Sequence, residues 1–200
     1  MKISTVIVLL LIVCTFPVYA VTPINEAVIK DAQTYGTAHN QMDVAEFLAP
    51  WTAYEEKAAK ITDSAEKAYL YTPYLLIAVD AREKSQAKKP VKVGDSEKIL
   101  SDYAGYLSFS VTLYGDTPQF ADKISAVIKQ GNKDIFARDL NSAAAERISA
   151  AGNSNKPLYM TRCYLYFFER DIDPNKPVML KVITGEKQNH SFYFDLAKIK

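Results

Sequence analysis

Apolar and polar residues alternate most cleanly between positions 106 and 114. Leu107, Phe109, Val111 and Leu113 fall on one side of an extended chain, and Ser108, Ser110, Thr112 and Tyr114 on the other. A period of two predicts a strand, because successive side chains of an extended chain point to opposite faces. Residues 159–168 (YMTRCYLYFF) are β-branched, aromatic and apolar without Gly or Pro, and read as the central strand. Thr161, Cys163, Leu165 and Phe167 suit a closed interior. Met160, Arg162, Tyr164, Tyr166 and Phe168 suit contact with helices or a partner. Two hairpins are predicted, residues 124–129 with 133–140 about Gln130-Gly131-Asn132, and 178–184 with 190–196 about Gly185-Glu186-Lys187. Residues 141–157 read as a small-residue loop.

Earlier in the chain the period is closer to that of a helix. Thr22-Pro23 supplies a cap and a first-turn proline, and Ile24, Ala27, Val28, Ala32 and Tyr35 follow at helical spacing up to Gly36. Asp43 caps a short turn carrying Val44, Phe47 and Leu48. Residues 51–61 and 67–71 predict a loose hairpin about Thr62-Asp63-Ser64, although the run EEKAAK is equally compatible with helix. Thr72-Pro73 begins a helix with Leu75, Leu76, Val79 and Arg82 on one face; a buried strand over residues 74–80 is the alternative. Asp95 caps a last helix, residues 96–103, ended by Gly105. The expected fold is α+β, a helical N-terminal half packed against a C-terminal antiparallel immunoglobulin-like β-sandwich of about six strands. The expected segments are a signal peptide (1–20), a mainly helical region that includes the hairpin (21–104) and the sandwich region (105–200).

Composition changes this picture mainly at the start of the chain. Residues 6–13 (VIVLLLIV) form an apolar block after Lys2, and Val18-Tyr19-Ala20 ends with small residues where a signal peptidase reads. Export is therefore expected, with cleavage after Ala20 and a periplasmic, cell-surface or extracellular destination. Leu11-Ile12-Val13-Cys14 resembles a lipoprotein box, except that Val13 is large where a small residue is usual. No later stretch is apolar for long enough to cross a bilayer. Without Lys2 the 24 basic residues become 23, matching 23 acidic ones. A chain without excess positive charge is not expected to bind nucleic acid. Only Cys163 remains after cleavage, which excludes an intramolecular disulfide and suits an inert buried thiol.

Candidate chemistry is sparse. His39 and His190 are the two histidines, both expected at the surface, and there is no G-x-S-x-G elbow. No His or Cys spacing suits a metal, and Asp171-x-Asp173-x-Asn175 lacks the glycine and glutamate of a calcium loop. No clustered glycines cradle a phosphate, so no cofactor is expected. Trp51, Tyr54, Tyr69, Tyr71 and Tyr74 offer aromatic surface for a peptide, glycan or apolar ligand, or for packing helices onto a sheet. Arg82 shares a face with apolar residues and needs a carboxylate or carbonyl partner, with Asp102 a candidate. The ligand-binding candidates are thus Trp51, Tyr71, Tyr74, Arg82 and Asp102.

Tyr71-Thr72-Pro73-Tyr74, Asp102-Tyr103-Ala104-Gly105 leading into residues 107–114, and Phe192-Tyr193-Phe194-Asp195-Leu196 resemble segments of uncharacterised exported bacterial proteins. The resemblance covers most of the mature chain and implies an envelope or secreted setting. It carries no activity. Three readings follow: a non-catalytic module binding or supporting a protein, peptide or glycan partner; an enzyme built from Tyr71, Tyr74, Arg82 and Asp102; and a structural module lipid-anchored at Cys14.

Overall fold

The computed structural model describes residues 25–58, 65–148 and 157–200. The expected leader, Cys14, the Thr22-Pro23 start and the turn at residues 62–64 lie outside the described residues. Helix α1 (Glu26–Ala38) begins at Asn25, whose side chain accepts from the Val28 N–H. It runs through Gly36 instead of stopping there. A Cβ at Gly36 would collide with the Ala78 carbonyl, so glycine lets two helices approach closely. Asp43 caps α2 (Val44–Leu48) as expected, through the Ala45 N–H. Thr72 caps α3 (Pro73–Gln86) by accepting from Leu75 N–H. Helix α4 (Val93–Tyr103) starts earlier than predicted. Asp95 lies in its first turn and accepts from the Lys92 N–H at 3.2 Å, so it caps from inside the helix. These helices share a core of Ile29, Ala32, Phe47, Trp51, Tyr74, Leu75, Ile77 and Ala78.

Ten strands are present among the described residues: β1 (Thr52–Tyr54), β2 (Lys67–Tyr71), β3 (Tyr106–Gly115), β4 (Ser125–Gln130), β5 (Lys133–Phe136), β6 (Asp139–Ser142), β7 (Glu146–Ile148), β8 (Leu158–Phe168), β9 (Val178–Ile183) and β10 (Asn189–Phe194). All pairings are antiparallel. One sheet has the order β1-β2-β3-β8-β6 with β7 also on β8; the other has the order β10-β9-β4-β5. The β1–β2 hairpin formed where it was predicted, but it extends the sheet begun by β3. The described residues before Tyr106 therefore supply helices and also two strands of the sheet, and the strands among the described residues exceed the six expected.

The two sheets share one core. Leu107, Phe109, Val111 and Leu113 of β3 and Cys163, Leu165 and Phe167 of β8 meet Ile128, Leu180, Val182, Phe192 and Phe194 of the other sheet. The inward face of β8 is the one its alternation predicted. Burial pushes the Cys163 thiol up to about 12, consistent with an inert core residue. The predicted strand over residues 133–140 divides in two, and the chain changes sheets between its halves. Ala137 N–H donates to Ala126 O in one sheet, and Arg138 N–H donates to Tyr166 O in the other. The predicted loop over 141–157 contributes β7. No described helix is long and apolar enough to cross a membrane.

Candidate functional site

The central strand β3 carries small residues on its outward face, and its neighbours carry large ones. Ser108 stands between Tyr71 of β2 and Tyr166 of β8, and Asp139 of β6 extends that row. One step along, Ser110 stands between Tyr69 and Tyr164, flanked by Thr52 and Asn141. The next row is Tyr54, Lys67, Thr112 and Arg162. Rows on one face repeat every two residues, about 7 Å. Small hydroxyl residues between flanking aromatic rows make a trough along β3. Its floor is deeply covered, with Ser108, Ser110 and Thr112 5%, 2% and 4% exposed.

Tyr103, at the end of α4, closes one end of the trough. A cavity of about 240 Å³ is lined by Tyr71, Tyr103, Ser108, Phe109, Tyr164 and Tyr166. A second, of about 520 Å³, is lined by Asp102, Tyr103, Tyr106, Asp139, Asn141 and Tyr166. They share Tyr103 and Tyr166 as walls. The Tyr106 and Tyr166 rings stand nearly perpendicular, 6.4 Å apart, and Phe168 stacks beneath Tyr106 at 5.5 Å. The Ser108 hydroxyl is buried and has no hydrogen-bond partner among the described residues. An unpaired buried hydroxyl costs about 1–3 kcal/mol of lost hydration, so a ligand atom that pairs with it gains directly. Burial, with Tyr164 next, raises the Tyr71 phenol above its ordinary value. Burial, then Tyr103 and Asp139, does the same for Tyr166. Both phenols are therefore neutral hydroxyl donors at ordinary pH.

The five candidates from the sequence divide between two places. Tyr71 lines the smaller cavity and Asp102 the larger. Asp102 also bonds the Lys98 ammonium one helical turn away. Trp51 and Tyr74 stack on each other in the helical core at 6.1 Å. The Trp51 indole donates to Lys200 O at 2.7 Å, and the Tyr74 hydroxyl donates to Asp31 Oδ2 at 2.9 Å. Arg82 donates to the carbonyls of His39 and Met42 and lies over the Phe47 ring at 4.9 Å. Its partners are thus carbonyls, not Asp102. They are acceptors from the turn after α1, which a guanidinium satisfies with its fork of donors.

His190 corrects the expected surface position. It is 8% exposed, on the inward side of β10, with Nδ1 2.6 Å from Glu66 Oε2. The other Glu66 oxygen accepts from Tyr114 N–H at 3.0 Å. Glu66 thereby ties β10 to β3. The His190 Nε2 is buried without a partner among the described residues. The described residues contain no group of three His, Cys, Asp or Glu that would hold a metal ion.

Sequence reasoning missed Tyr103, Tyr106, Ser108, Asp139, Asn141, Tyr164 and Tyr166 as one site. The available signal was the match of small residues on one side of β3 to tyrosines on alternate positions of 67–71 and 159–168. It becomes readable only once register is known, because a one-residue slip turns those side chains inward. No family model, curated protein or solved structure matches the chain.

Proposed function

We propose that this is an exported envelope or secreted protein acting as a non-catalytic binding module, with the tyrosine trough over β3 as its binding surface. The observation that carries this reading is the pair of neighbouring cavities that share Tyr103 and Tyr166 as walls, the smaller one reaching the Ser108 hydroxyl, which has no partner among the described residues. Small-molecule sites are typically concave and aromatic, with a few convergent polar groups. The enzyme reading required Tyr71, Tyr74, Arg82 and Asp102 to converge. It loses its support because Tyr74 and Arg82 are engaged inside the helical core.

The proposal extends to the fold. The orders β2-β3-β8-β6 and β10-β9-β4-β5 support an immunoglobulin-like sandwich. They follow the A-B-E-D and G-F-C succession of such domains, with β5 as an added C′ strand. Helices α3 and α4 then form an insertion between the first two strands. Export is supported by the apolar block at 6–13 and the Val18-Tyr19-Ala20 end. A mature chain beginning at Val21 in mass spectrometry is the expected outcome, whereas a lipid on Cys14 would favour the anchored module.

The binding test is NMR on tyrosine-labelled protein titrated with fractions of envelope extract. Signals of Tyr103, Tyr106, Tyr164 and Tyr166 should move together, with the extract recovered chemically unchanged. Shifts confined to Tyr193, or conversion of the bound component, would overturn the reading.

A further inference from the structure

Resting on the trough as the binding surface, we propose that its ligand is a neutral oligosaccharide of two or three rings, bound across the two neighbouring cavities that share Tyr103 and Tyr166. Size supports this first. About 520 and 240 Å³ together are in the range of small-molecule sites.

The lining chemistry narrows the class. Sugar rings present C–H faces that pack on aromatic rings, whose faces are electron-rich. Tyr103, Tyr106 and Tyr164 are each more than a third exposed. Sugar hydroxyls both donate and accept. Asp102 and Asp139 supply acceptors, and Asn141 supplies both kinds of group. The Oδ1 of Asp139 already accepts from the Leu140 N–H, leaving its other oxygen without a partner among the described residues. Ser108 offers a hydroxyl that nothing else among the described residues satisfies. Among the described residues no Lys or Arg lines either cavity, so the ordinary partner of an anionic ligand is not found there.

A peptide fits less well. Peptides that bind by strand addition are held by main-chain bonds at a sheet edge. Here the trough lies over β3, whose backbone is paired on both sides by β2 and β8. Recognition must therefore come from side chains alone, which suits a ligand that is itself rings and hydroxyls.

The experiment is isothermal titration calorimetry of the purified mature protein with maltohexaose, cellohexaose, xylohexaose, mannohexaose and chitohexaose. Two comparison arms use tetramethylammonium and a random tetrapeptide mixture. At least one saccharide should bind. Tyr166→Ala should weaken it about tenfold or more, as expected for an aromatic anchor. Ser108→Ile, which fills the floor, should do the same. Tyr103→Ala, at a helix end, is the second truncation should Tyr166→Ala fail to fold, with circular dichroism as the folding control. Asp139→Asn keeps an acceptor and should change affinity less than about threefold, whereas a cation would lose most of its binding. No binding by any saccharide overturns this inference. If tetramethylammonium or peptides bind and Ser108→Ile abolishes that binding, the trough stands and only the ligand class falls. If no arm gives binding, both fall.

Discussion

The two faces of the central strand β3 are buried to nearly the same degree by different means. Phe109 and Phe167, facing inward, are 1% and 0% exposed, and Ser110, facing outward, is 2% exposed. The inward face is closed by a second sheet of apolar side chains. The outward face is covered by its own flanking tyrosines and by Tyr103. Apolar burial on the inside is gained once, on folding. Outside, hydroxyls and ring faces are withdrawn from water without all being paired, as the Ser108 hydroxyl illustrates. Similar burial is therefore matched by apolar packing on one face and leaves a hydroxyl unpaired among the described residues on the other.

The largest expected effect tests that contrast directly. Phe167→Ala should cost about 3–5 kcal/mol in urea unfolding, as for a large aromatic in a closed core. Tyr164→Ala, on the same strand but 38% exposed, should cost under about 1 kcal/mol. Similar losses from both would mean that the outward face is structural core.

Arg82→Ala should cost about 1–3 kcal/mol, since it takes the side-chain donor from the Met42 carbonyl, leaves the His39 carbonyl with only the Met42 N–H, and uncovers Phe47. Asp102→Ala should leave the unfolding midpoint nearly unchanged, because its contact with Lys98 is exposed. A reversal of that order would return Arg82 to the candidate ligand residues.

Ser108→Ala is the sharper and smaller test. Removing a buried hydroxyl that has no partner among the described residues should leave stability unchanged or raise it by up to about 1 kcal/mol. A loss greater than that would reveal a partner for the hydroxyl within the fold and weaken the case for a ligand there.

The smallest effect concerns the helical region. Asp95 bonds Lys84 across α3 and α4 at 3.0 Å, and this bond, with the Lys92 N–H, holds its carboxyl below the ordinary value of 3.8. Its contribution is present above that value and lost as pH falls through the depressed pKa. Asp95→Asn should flatten the fall of thermal stability below about pH 4 and change little at neutral pH.

Much of the element order was legible in the chain. Thr72-Pro73 marked a helix start because a hydroxyl cap and a fixed φ act locally. Gly131, with φ of +57°, marked the β4–β5 turn for the same reason. Gly36 misled, since its role depends on Ala78, which lies on α3 far along the sequence. His190 misled too, because the carboxylate beside it comes from residue 66. Of the five candidates, Asp102 and Tyr71 line two neighbouring cavities, while Trp51, Tyr74 and Arg82 pack in or against the helical core.

By itself the sequence determined the periodicities, the caps and turns, the inward face of β8 and the absence of familiar catalytic spacings. These depend on neighbours within a few residues. Tertiary structure decided that β1 and β2 join β3, that the chain changes sheets at residues 137–138, and that tyrosines from β2, α4 and β8 converge on Ser108. The reason is physical. Strand register and helix docking are set by the summed burial of distant side chains, and the trough exists only where small residues on one strand meet large residues on two others.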